Sequence, residues 1–244
     1  MDYLLLFILL AIVAEILGTV GGFGSSVFFI PIAAFFLDFH SVLGITAIFH
    51  VSSNLTKIAM FRKGFDKKLV LYLGIPAVTF VLIGAYFSKY VITANLEIGL
   101  AIFLILTSIT FLFFKTVVVK PTRINSIIGG ILSGGIAGLL GTGGAIRGLT
   151  LTSFKLRPEI FIATSAIIDL GVDSGRGFIY WFNGYIHLHD LYLIPLLIIA
   201  SIIGTYIGKK LLTKISEKKF RVIVLALILI TGISTLLKVL VNYT

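Results

Sequence analysis

Gly138-Leu139-Leu140-Gly141-Thr142-Gly143-Gly144-Ala145-Ile146-Arg147 is the stretch on which the fold of this chain turns. Four of its ten residues are glycine, the sequence around it is apolar, and an arginine closes it. Near the other end stands a partner, Gly18-Thr19-Val20-Gly21-Gly22-Phe23-Gly24-Ser25-Ser26. Glycine lets a backbone leave helical geometry or come very close to another group. In hydrocarbon, irregular backbone survives only inside protein or beside a wet cavity. One break in each half of a chain is the expected mark of a transport site built from discontinuous helices.

The surroundings are those of a membrane protein. The 244 residues are 58% hydrophobic and only 12% charged, with a mean hydropathy of +1.13; soluble domains carry roughly 25% charged residues. The net charge of +10 sits in short connections between apolar runs, which signals topology rather than nucleic-acid binding. There is no cysteine, so disulfides and thiolate metal sites are excluded. The first apolar run follows Asp2 rather than lysine or arginine, and is expected to be a retained helix.

Ten apolar segments follow one another: 4–20, 25–37, 41–61, 69–88, 96–114, 124–140, 145–154, 158–182, 191–208 and 220–241. Segments 25–37 and 145–154 would reach only about 20 and about 15 Å as helices, short of a hydrocarbon core of about 30 Å. Each follows a glycine break and is expected to be a re-entrant or broken half-helix. The fold expected is therefore all-α and polytopic, with 8–10 membrane segments.

The halves repeat at an offset of 119–120. Gly44-Ile45-Thr46-Ala47-Ile48 matches Ala163-Thr164-Ser165-Ala166-Ile167, Ile75-Pro76 matches Ile194-Pro195, and Gly84-Ala85-Tyr86 with Lys89 matches Gly204-Thr205-Tyr206 with Lys209. Residues 1–119 and 120–244 are expected to be two membrane repeats. Connections 62–68, 115–123 and 209–221 are rich in lysine and arginine, whereas 183–190, the counterpart of 62–68, has neither. Parallel repeats would put the connection without lysine or arginine inside and a basic one outside. The positive-inside rule rejects that, so the repeats are expected to be inverted, with both termini outward.

Ionisable residues inside membrane segments are costly and point to function. His50, Asn54 and Lys57 share one helix face, and Asp169, Asp173 and Arg176 have the same spacing at an offset of 119. They are read as two faces of a shared site. The plainer readings are that Lys57 and Arg176 snorkel to the interface, and that Asp169 and Asp173 form structural pairs with Arg176. Arg147, three residues into the second short segment, calls for a carboxylate, carbonyls or an anionic ligand. Glu15 is the internal acid expected to pair with a cation or to carry a proton. Free N–H groups and helix dipoles at Gly22, Gly24, Ser25 and Ser26 and at Thr142, Gly143 and Gly144 would favour an anion between them. Arg147 with Lys57 or Arg176 would neutralise it, Asn54 would contribute a polar contact, and Glu15, His50, Asp169 or Asp173 would couple protons. Gly130, Gly134 and Gly138 are read as a helix-packing face. His187, His189 and Asp190 have metal-ligand types, but one short loop supplies them all, and a solvated loop is the preferred reading. Neither a catalytic constellation nor a cofactor motif is evident.

The sequence resembles the TauE/SafE family, the sulfite-exporter group of small bacterial membrane transporters. The carrying residues are the duplicated glycine break (Gly21-Gly22-Phe23-Gly24 with Pro31, and Ser133-Gly134 through Gly138, Gly141, Gly143 and Gly144), Ile162-Ala163-Thr164-Ser165-Ala166, and the turn Gly64-Phe65-Asp66 with its counterpart Gly184-Tyr185-Ile186. The resemblance implies export or exchange of a small sulfur-containing anion (sulfite, a sulfonate or another organosulfur anion) across a bacterial inner membrane. The alternatives are a passive anion channel and a transporter of a non-sulfur organic anion.

Overall fold

The computed structural model describes residues 2–22, 24–113, 119–212 and 217–243. The readings placed on Phe23, Lys115 and Lys214, and on the side chains of Lys218, Lys219 and Arg221, lie outside what is described. The described residues are helical, with no strand: α1 (Asp2–Gly21), α2 (Ser26–Ala33), α3 (Phe39–Met60), α4 (Lys67–Ser88), α5 (Thr93–Phe113), α6 (Arg123–Leu140), α7 (Gly144–Thr152), α8 (Pro158–Phe182), α9 (Leu193–Leu212) and α10 (Glu217–Tyr243). The order long, short, long, long, long occurs twice. A π-helical stretch at Val70–Gly74 runs into Ile75-Pro76 within α4.

Among the described residues, seven helices are long and apolar enough to cross a membrane. α8, with 25 residues, is also long enough, but it carries Glu159, Asp169, Asp173 and Arg176. α2 and α7 have 8 and 9 residues, reaching about 12 and about 14 Å; both are shorter than the apolar runs that contain them. α2 stops because Asp38 opens the next helix, accepting from Ser41 N at 3.0 Å. α7 stops before Lys155, whose φ is +50°, and Pro158, which begins α8.

Close approach between helices is built on glycine. A Cβ at Gly130, Gly134 or Gly138 of α6 would fall 2.3, 2.1 and 2.4 Å from the carbonyl oxygens of Leu73, Ala77 and Val81 of α4. The packing-face reading of these glycines holds. The register rises on both helices together, so α4 and α6 run parallel. Gly204 abuts Glu15, and Gly208 abuts Thr19, so α9 and α1 also run parallel. In each case the first helix of one half lies against the fourth helix of the other.

Two faces emerge from the contacts at the helix ends. On one, Asn183 Nδ2 donates to Ala85 O at 2.9 Å, Ser88 bonds Tyr185, and Lys238 donates to Ala34 O. On the other, Lys63 pairs with Glu159 at 2.8 Å, Asp66 N donates to Thr164, and Lys209 donates to Met60 O. The basic connection 62–68 and the start of 209–221 share this second face; 183–190, which has no lysine or arginine, lies on the first. α2 runs from the interior toward the first face and α7 toward the second, an arrangement compatible with inverted repeats. α3 is the most central apolar span, 61% buried against 33–39% for the others. The outer faces of α1, α4, α5, α9 and α10 expose leucine, isoleucine and phenylalanine, as lipid contact requires.

Candidate functional site

Both chain breaks meet at one place. After α1, Gly22 and Gly24 have φ of +71° and +80°, and after α6, Gly141 has +79°; this left-handed geometry costs glycine nothing. Ser26 Oγ and Thr142 Oγ1, one from each break, lie 3.0 Å apart. The break after α6 is held from α8: Tyr180 Oη donates to Gly138 O at 2.7 Å, and Arg176 Nη1 donates to Gly141 O. These bonds satisfy carbonyls that a helix end would otherwise leave without partners.

Between the breaks lies a cavity of about 20 Å³, room for about one ordered water. Its walls are Gly24, Ser25, Ser26, His50, Ser53, Asn54, Lys57, Ala137, Gly141, Gly143, Gly144, Arg147, Asp169, Val172 and Asp173. The first-turn N–H groups of α2 and α7 have no intrahelical carbonyl to meet, and the starts of both helices line this space from opposite sides. Their dipoles bring positive potential to it.

Three cations and three carboxylates surround the cavity in pairs: Lys57 with Glu15 at 2.8 Å, Arg176 with Asp173 at 2.7 Å, and Arg147 with Asp169. Lys57 and Arg176 are 7% and 1% exposed, which rules out snorkelling. Arg147 pairs with Asp169, while Glu15, expected to pair with a cation or to carry a proton, meets Lys57. Asp169 is also not bonded to Arg176, because the side chain of Asp169 turns toward α7, where Ser165 Oγ donates to it at 3.3 Å and accepts from Arg147 Nε at 3.1 Å.

Glu15 sits at the centre of a hydroxyl cage. Thr19, Ser53 and Thr205 donate to Oε1 at 3.1, 2.6 and 3.0 Å, and Ser25 donates to Oε2 at 2.6 Å. Arg176 Nη2 meets His50 Nδ1 at 3.2 Å. A guanidinium only donates, so Nδ1 accepts and the ring proton sits on Nε2, which donates to Ser25 Oγ at 3.0 Å. A directed chain therefore runs from Arg176 through His50 and Ser25 to Glu15. Asn54 Nδ2 donates to Asp173 at 2.7 Å.

Eleven of the fifteen site residues expected from sequence line the cavity. Gly22 does not; it faces the ring of Phe161. Thr142 is one bond behind Ser26. Glu15 and Arg176 stand behind the wall with their polar atoms engaged in the frame. Sequence reasoning missed Ser53, Ser165 and Thr205. Ser53 stands four residues before Lys57, whose Nζ donates to it at 2.7 Å, a spacing visible in the sequence. Thr205 belongs to a helix with no other polar signal beside Glu15, and only the fold brings it there.

A family model described as Sulfite exporter TauE/SafE matches residues 7–235. That is nearly the whole chain, and the chain belongs to this family of sulfite-exporter-type membrane transporters. Comparison with curated proteins and with solved structures gives no match.

Proposed function

We propose that this TauE/SafE protein exports or exchanges a small sulfur-containing anion, such as sulfite or a sulfonate, by alternating access across a bacterial inner membrane. Residues 1–119 and 120–244 act as two inverted repeats rocking about the cavity, and both termini face outward. The basic face carrying 62–68 supports that orientation.

The carrying observation is the pairing of Arg147 with Asp169 at the meeting point of two short-helix N-termini. With three cations and three carboxylates, the site is balanced when empty. An entering monoanion would leave one uncompensated negative charge in a medium of low dielectric, which is costly. Protonation of Asp169 removes that charge and frees Arg147 in the same step. As the repeats move, the cavity, which has room for about one water here, widens. The anion then takes the place of the carboxylate on Arg147, with Lys57 and Asn54 opposite and with the N–H groups at Ser26 and Gly144 receiving its oxygens. His50, Glu15, Asp173 and Arg176 hold the wall. A passive channel would need a continuous wet path with several weak sites; one small cavity walled by ion pairs favours the carrier.

The test is melting of the detergent-solubilised protein in sulfite, sulfoacetate, thiosulfate and sulfate. At least one sulfur anion should raise the melting temperature of the parent chain and leave Arg147→Ala unmoved. An equal rise in both proteins would remove Arg147 from the site.

A further inference from the structure

Three of the chain's four histidines, His40, His187 and His189, gather at the face opposite the basic connections, where the α8–α9 connection meets the start of α3. Asp190, 3% exposed, anchors the group. It accepts from Ser41 Oγ at 2.7 Å through Oδ2. His189 Nε2 lies 3.4 Å from Oδ1, and His187 Nδ1 lies 3.7 Å from Oδ2. The two imidazole rings are stacked, 5.2 Å apart and 7° from parallel, so both present nitrogen to one carboxylate.

From sequence the objection to a metal here is that a single short loop supplies every ligand. The fold answers it. Asp38, the N-cap of α3, brings Oδ2 to 3.8 Å from His187 Nδ1, while its Oδ1 stays on Ser41 N. Ligands about 2.0–2.2 Å from a tetrahedral zinc stand about 3.3 Å from one another. The His–carboxylate contacts, 3.4, 3.7 and 3.8 Å, exceed that by fractions of an ångström. The ligand atoms of His187, His189 and Asp190 all lie within 4.8 Å of one another, so the side chains would draw inward around an ion.

We propose that His187, His189, Asp190 and Asp38 form a binding site for a zinc-like divalent cation that ties the start of α3 to the α8–α9 connection. Two imidazoles and two carboxylates make the mixed nitrogen and oxygen set that suits such an ion. Ser41 orients Asp190 by its hydrogen bond. Because Ser41 gives its own proton to Asp190, its 2.6 Å contact with His187 Nδ1 is donated by the ring; metal binding moves that proton to Nε2, the ordinary change of tautomer. With His189 exposed, the ion has an open approach. The bridge joins one half of the chain to the other at the rim, away from the central ion pairs.

Isothermal titration of zinc chloride into the full chain, purified in detergent through a tag without histidine, decides it. One saturable, EDTA-reversible site per chain is expected. The His187→Ala/His189→Ala double variant should lose it, and Asp38→Asn, which keeps the helix cap, should weaken it by at least ~tenfold. These positions lie outside the long helices, and unchanged melting of each variant confirms an intact fold. No saturable uptake, uptake unchanged in the double variant, or full affinity in Asp38→Asn would each overturn the proposal.

Discussion

Asn54 donates to Asp173 across 2.7 Å, and the two residues are 119 positions apart. The same interval relates His50 to Asp169 and Lys57 to Arg176. Counterparts in two halves touch only beside the axis that would relate them, so any two-fold relation passes next to this bond. The two positions at this interval carry a donor and an acceptor, and Asp173 also holds Arg176. Asp173→Asn should therefore cost about 3–5 kcal/mol, since it leaves a buried guanidinium without its acid. Asn54→Ala removes a single donor and should cost about 1–3 kcal/mol. Unfolding in detergent measures both; a reversed order would mean that the Arg176 pair does not hold the centre.

Asp169 and Asp173 both line the cavity, but Asp169 alone holds Arg147, the cation that α7 carries. If it competes with the anion for Arg147, Asp169→Asn should tighten anion binding and flatten its pH dependence. Anion-induced melting shifts at mildly acidic and mildly alkaline pH give the answer. A variant that keeps the pH response of the parent would assign the coupling proton elsewhere.

The half-helices, the uneven spread of lysine and arginine among the connections and the polar faces of α3 and α8 were legible in sequence because each leaves a periodic or compositional trace. Glycine breaks, seven-residue polar spacing and lysine-rich connections are local properties. Partner choice among the charges was not legible. Arg147 chooses Asp169 because α7 folds back against α8, and Glu15 receives Lys57 because Gly204 and Gly208 let α9 press α1 toward α3. Such pairings depend on the register between distant helices, which no local pattern encodes. The anchoring of the α8–α9 connection was not legible for the same reason: Asp38 and Ser41, its fixed partners, belong to the other half.

Close packing of α4 on α6 gives a paired test on adjacent residues. A Cβ at Gly134 would lie 2.1 Å from Ala77 O, whereas one at Gly135 would meet nothing within 4 Å. Gly134→Ala should force the helices apart and cost about 1–3 kcal/mol or more. Gly135→Ala should be neutral or stabilising by about 0.5–1 kcal/mol, since alanine is the better helix former. Melting temperatures of the two variants should move in opposite directions or differ clearly; equal behaviour would contradict the parallel register of these helices.

Glu15 is a second acid on which a coupling proton could reside, and its surroundings argue for a structural role. Lys57 and three hydroxyls point at Oε1, and Ser25 points at Oε2. A glutamine amide facing Oε1 would set its N–H groups against four donors. Turned the other way, it would meet Ser25, which already accepts from His50 and would lose the acceptor for its own proton. Either orientation also leaves Lys57 buried without a counter-charge. Glu15→Gln should therefore cost about 3–5 kcal/mol and lower the yield of folded protein. If Glu15 were instead the coupling group, the variant would fold as well as the parent and lose only the pH dependence of anion flux in vesicles. Expression, melting and flux measured together separate these outcomes, and a stable Glu15→Gln protein with pH-independent flux would move the coupling from Asp169 to Glu15.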